Sequence, residues 1–135
     1  MQQHIGLVTV VVRNYDEALE FYCRKLHFEC VEDTRLSESK RWVVVRPPNS
    51  KPSSCGILLA KAANDGQIKA VGNQTGGRVA LFLYTDNLER DYLNLQNQGV
   101  TVVREPVLET YGKVLVFEDL YGNKWDLIEP NLNRF

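Results

Sequence analysis

Histidine and cysteine are scarce in this chain of 135 residues, with two of the first and three of the second. Cys23, Cys30 and Cys55 form an odd set without a C-x-x-C pair, which argues against a disulfide framework or a zinc knot and for buried thiols. No charge of one sign dominates. Lys and Arg number 16 against 17 Asp and Glu, a net charge of -1 without long blocks of like charge, so no nucleic-acid partner is expected. Long hydrophobic runs are missing as well. The longest, Gly6 to Val12, is broken by Thr9 and falls far short of a bilayer span, and the pattern of a signal peptide is absent. A cytoplasmic protein with no membrane partner is expected. Disorder is excluded by a composition of 44% hydrophobic and 24% charged residues, and a chain of this length can bury a sufficient core without a metal or disulfide.

What is present is a repeat. The β-branched run Val8 to Val12 ends at Arg13-Asn14, where Asn14 caps a helix with Glu17 three residues on. Tyr15, Ala18, Leu19, Tyr22 and Leu26 form its apolar stripe. Three strands are predicted after it, Phe28 to Asp33, Arg41 to Arg46 and Gly56 to Ala60. The second half repeats the order. Arg78 to Tyr84 reads as a strand, Asp86 or Asn87 as a cap, and Leu88, Tyr92 and Leu95 as the stripe of a helix ended by Gly99. Val100 to Arg104, Lys113 to Glu118 and Lys124 to Ile128 follow, with Tyr121-Gly122-Asn123 as a hairpin turn. Matching apolar stripes gives an offset of 73 residues and matching Asn14 to Asp86 gives 72, so the register stays open by one. The fold class is therefore α+β, two tandem βαβββ modules whose curled mixed sheets enclose a cleft with helices outside. All of 1–135 is expected to form one domain, with modules at about 4–61 and 78–130 and a linker at about 62–77 over a cavity.

Leu7 to Asn14, Asp16 to Tyr22, Leu26-His27-Phe28, Val114 to Asp119 and Gly122 to Leu127 resemble the vicinal oxygen chelate superfamily. They match its first strand, its "FY…LGF" helix exit and its "F-x-D-P-x-G-N-x-x-E-L" ending. That superfamily holds glyoxalase I, extradiol dioxygenases, and the bleomycin and fosfomycin resistance proteins. Because one scaffold hosts isomerisation, ring cleavage, thiol addition and drug sequestration, the resemblance implies the fold and leaves catalysis open. The family's divalent metal, held by His and Glu, polarises a substrate oxygen. Carried over, its ligand positions fall on Leu7, near Leu58, on Ala80 or Val79, and on Asp126. Three of the four are apolar, so no metal and no cofactor are expected. His4 lies before the first strand, and His27 replaces the glycine usual after the helix.

Strand alternation puts Val79, Leu81 and Leu83 toward the helix and Arg78, Ala80, Phe82 and Tyr84 toward the cleft. Arg78 would meet a ligand's carboxylate or phosphate, or else sit in solvent at the mouth; Phe82 and Tyr84 offer flat walls. Asp126 shares its face with Lys124 and Ile128; burial in the cleft would raise its pKa and a nearby Arg78 would lower it. Trp42 and Tyr111 complete the candidate ligand-binding set. Cys55 has no histidine neighbour in sequence to activate it. The resulting expectation is a homodimeric, metal-independent protein that binds an unknown small molecule, in sequestration or detoxification. The alternative is a metal-dependent lyase or isomerase of the glyoxalase I or epimerase type, in which Asp126 is joined by His4 or Glu118.

Overall fold

Six consecutive residues of high β propensity, Leu7–Val12, open the first of two units in the computed structural model, which describes residues 1–131. The units are Met1–Val71 and Gly72–Phe135. In the first, strand β1 (Leu7–Val12) is followed by helix α1 (Tyr15–Leu19), β2 (Glu29–Arg35), β3 (Arg41–Arg46) and β4 (Gly56–Lys61). The sheet order is β1-β4-β3-β2, with β1 parallel to β4 and the other pairs antiparallel. Asn14 caps α1 by accepting the Glu17 N–H at 3.0 Å. Helix α1 then widens into a π-turn over Glu20–Lys25, closed by the Leu26 N–H on the Phe21 carbonyl five residues back at 3.2 Å. A single 3.6-residue period therefore describes only its first half. The wider turn buries both Phe21 and Tyr22, with ring centroids 5.1 Å apart, so Phe21 joins the stripe expected from the sequence. His27 ends the helix at φ 63°, the left-handed conformation that glycine more often takes. Arg41 starts β3 and ties strand to helix, donating to Asp33 at 2.7 Å and Asp16 at 2.9 Å over the Tyr15 ring.

The segment expected to be a plain linker contains a short helix, α2 (Asp65–Ala70), capped by Asn64. Its one large apolar residue, Ile68, is exposed, so no buried stripe marked it in the sequence.

The second unit holds β5 (Val79–Tyr84), α3 (Leu88–Asn97), β6 (Val102–Glu109), β7 (Gly112–Glu118) and β8 (Lys124–Pro130), in the order β5-β8-β7-β6. Asn87 caps α3 by accepting the Arg90 N–H at 3.0 Å, while Asp86 pairs with the Arg90 guanidinium at 2.8 Å. Leu88 and Leu95 of α3 are buried, as are Trp125 and Leu127 of the adjoining β8. Strand β6 runs five residues beyond its expected end at Arg104 and passes through Pro106. It can do so because its pairing with β7 shifts register between Arg104 and Val107, where a residue without an N–H costs no ladder bond.

A bulge at Ala80 settles the one-residue ambiguity of the repeat. Val79 pairs with Lys124 and Leu81 with Trp125, so two steps along β5 match one along β8. In the first unit Leu7 pairs with Gly56 and Val8 with Ile57 without interruption. The offset between units is thus 72 before Ala80 and 73 after it.

Candidate functional site

The face of the second sheet opposite α3 is fixed by the alternation of β8. Trp125 and Leu127 go to the helix, which turns Asp126 the other way. Pairing places Phe82, Asp126, Val116 and Arg104 in one row across β5, β8, β7 and β6. The next row is Tyr84, Ile128, Val114 and Val107. Tyr111 sits in the β6–β7 turn, where its carbonyl accepts the Asn131 N–H at 3.1 Å.

These rows frame a hollow of about 270 Å³ lined by Phe82, Tyr84, Tyr111, Asp126, Ile128 and Pro130. Its volume falls just below the usual range of ligand pockets, roughly 300–1,000 Å³. Phe82 is 62% exposed, Tyr84 49% and Tyr111 51%, unusual for three large rings within one unit. The structure thus brings together four of the six candidate residues. Arg78 precedes β5, is exposed, and is not among the residues lining the hollow. The Ala80 bulge interrupts the alternation by which Arg78 was assigned to the Phe82 face. Trp42 lies on β3 of the first unit.

Asp126 is the only ionisable carboxylate among the lining residues. Burial holds its carboxyl above the usual range for aspartate, and the positive charge of Arg104 draws it partly back. The cation acting on Asp126 is therefore Arg104, where sequence reasoning proposed Arg78. Arg104 was missed because the expected strand stopped there, and only the β6–β7–β8 register reveals that it shares the row. A carboxyl whose pKa is higher in the folded than in the unfolded chain favours folding only while protonated, so its contribution is lost as pH rises through the folded value. With Arg104, Tyr84 and Tyr111 left unchanged around it, Asp126→Asn is expected to raise stability at about pH 7. The gain should vanish below about pH 4, where the unfolded carboxyl is also protonated. Urea unfolding midpoints at the two pH values check this.

The residues at the family's metal positions do not make a metal site. The bulge register matches Leu7 to Val79 rather than Ala80, which leaves Leu7, Leu58, Val79 and Asp126. Among the described residues no group of three or more His, Cys, Asp or Glu side chains could hold a metal ion. His4 lies ahead of β1 and His27 at the exit of the first helix, both exposed. The cysteines are not the buried thiols expected, since Cys30 and Cys55 are exposed and Cys23 is half-buried, and partial desolvation raises the pKa of Cys23 and Cys30, which disfavours a reactive thiolate at either.

A family model for the glyoxalase/bleomycin resistance protein/dioxygenase superfamily matches residues 4–127. The chain belongs to this superfamily. Its sheets carry the superfamily's fold, and the expected resemblance holds along nearly the whole length. A superfamily relative from Shewanella frigidimarina, an uncharacterized protein, is 52% identical over 132 residues, covering 97% of this chain and 96% of its own. The crystal structure of UcmS2 aligns with a TM-score of 0.83 at 29% identity, covering 96% of this chain and 99% of that one. TnmS3, an antibiotic binding protein from Streptomyces sp. CB03234, aligns with a TM-score of 0.77 at 25% identity, covering 96% and 98%. No helix among the described residues is long and apolar enough to cross a membrane.

Proposed function

We propose that this superfamily member binds and sequesters a small, flat, largely apolar molecule in the hollow of its second unit, acting as a cytoplasmic homodimer. The observation that carries the reading is the exposure of Phe82, Tyr84 and Tyr111 around one hollow that also contains Asp126. Leaving three large rings in water forgoes burial worth roughly 1.5–3 kcal/mol for a side chain of this size, and a ligand that covers them recovers part of it. The antibiotic-binding role of TnmS3, a structural relative at 25% identity, supports the same direction. Arg78 and Trp42 are not required by this reading.

A thermal-shift screen against small acids, aromatics and antibiotics tests it. A true ligand at a hundred times its Kd should stabilise the protein by about 2.7 kcal/mol, and Phe82→Ala or Tyr111→Ala should abolish most of the shift. Failure of every aromatic compound to stabilise the protein would contradict the proposal. Elemental analysis of protein purified without chelators provides the second check. Stoichiometric zinc, nickel, iron or manganese would replace the binding role with that of a metal-dependent lyase or isomerase.

A further inference from the structure

We infer that the ligand of this hollow is an organic cation, a protonated or quaternary amine carried on an aromatic or compact apolar body. The inference rests on the binding role proposed above and specifies its chemistry. Its basis is the combination of one carboxylate with three aromatic rings around a space of about 270 Å³. The negative edge of the arrangement is Asp126. Among the described residues no side chain donates a hydrogen bond to its carboxylate or forms an ion pair with it.

The cations nearby are otherwise engaged. Arg104 shares the row of Asp126 but sits two strands away, about 10 Å at the usual strand spacing. Its guanidinium donates to Glu109 at 2.8 Å, so it is held by Glu109 and acts on Asp126 only as a distant charge. Lys124, on the same face of β8, directs its ammonium to the Gly77 carbonyl at 3.4 Å. A ligand in the hollow therefore meets an anionic carboxylate first.

The rings make the complementary case. The faces of Phe82, Tyr84 and Tyr111 are electron-rich, and an ammonium held among such faces gains cation–π attraction in addition to its charge pairing. Partial burial of Asp126 strengthens that pairing, since water screens it less. An anionic ligand would instead place like charge beside a carboxylate that burial has already made costly to ionise. A neutral aromatic would cover the rings and leave the carboxylate without a partner. The small volume restricts what enters to the amine head and one ring system, with any larger body remaining outside.

The test uses three compounds of one shape, 1-naphthylmethylamine, 1-naphthalenemethanol and 1-naphthoate, titrated calorimetrically into the 135-residue chain at neutral pH. The amine should bind about tenfold more tightly than the alcohol or better, and the carboxylate more weakly than either. Asp126→Asn should bring the amine to the level of the alcohol and leave the alcohol unchanged. Its unfolding midpoint, expected at or above that of the unmodified protein, verifies that the fold is intact. Tyr111→Leu keeps an apolar side chain but removes a π face, and should weaken the amine more than the alcohol. Equal or tighter binding of the alcohol or carboxylate, or a preference for the amine that survives Asp126→Asn, would overturn the inference while the aromatic-binding role stands. Absence of binding by all three compounds, together with an empty library screen, would overturn both.

Discussion

Replacing Asp119 by alanine is expected to cost about 3 kcal/mol, an effect at the upper end of ordinary single substitutions. Asp119 is buried in the turn between β7 and β8, and its carboxylate organises that turn. One oxygen accepts the backbone N–H of Tyr121 and that of Asn123, both at 2.9 Å, and the other accepts the Asn123 side-chain amide at 2.8 Å. Alanine would leave these donors without their acceptor, and Asn123 is itself buried, so water cannot readily replace what is lost. The two backbone bonds of the turn, Asp119 N–H to the Asn123 carbonyl and Gly122 N–H to the Asp119 carbonyl, do not depend on the side chain and should keep its outline. Asp119→Asn provides the finer measurement. Its carbonyl oxygen can still accept both backbone N–H groups, but its amide would face the Asn123 amide donor to donor, so a loss of about 1–2 kcal/mol is expected. Equilibrium urea unfolding of both variants measures the costs. A loss for Asp119→Ala no larger than that of an exposed surface change, about 0.5 kcal/mol, would contradict this account.

The same turn explains why the end of the chain was recognisable in the sequence. Asp119, Gly122 and Asn123 make local bonds that fix the backbone within five residues, and such short-range geometry leaves a legible pattern. Helix starts were legible for the same reason, since Asn14 and Asn87 bond to N–H groups three residues on. The features that escaped sequence reasoning depend on partners elsewhere. The Ala80 bulge exists only in the pairing of β5 with β8, and it moves the residue matching Leu7 from Ala80 to Val79. Arg104 reaches the row of Asp126 only through β7, across a register that Pro106 and its bulge make irregular. The hollow was partly legible. Alternation along β5 and β8 is local to each strand, and it put Phe82, Tyr84, Asp126 and Ile128 on one side, whereas Pro130 came in through the course of β8 past its expected end at Ile128. Short helix α2 escaped for a different reason, because its six residues bury none of their side chains and so carry no apolar period.

Gly72→Ala is expected to be at least as damaging as Asp119→Ala, with a cost of about 3 kcal/mol or more. Gly72 has φ 75°, and a Cβ added there would stand 1.8 Å from the Tyr121 carbonyl oxygen and 2.7 Å from its carbon. Tyr121 cannot retreat freely, because its N–H is held by Asp119 and its neighbour Gly122 by the Asp119 carbonyl. The sequence revealed Gly72 only as one of four glycines in the linker region, yet its missing side chain lets the backbone lie directly against the turn. Two contributions add in the variant, left-handed backbone strain of about 1–2 kcal/mol and a steric clash with backbone that overpacking data place at about 1–3 kcal/mol. Gly76 separates them. It has nearly the same φ, 70°, but nothing lies within 4 Å of its added Cβ, so Gly76→Ala should cost only the strain contribution, about 1 kcal/mol. The difference between the two variants in urea unfolding isolates the clash. Equal costs would mean that the Tyr121 carbonyl moves aside without penalty, and the Asp119 bonds would then not be holding the turn in place. Combining Gly72→Ala with Asp119→Ala makes the same point by coupling: if Asp119 is what keeps the carbonyl against Gly72, the double variant should lose less than the sum of the singles.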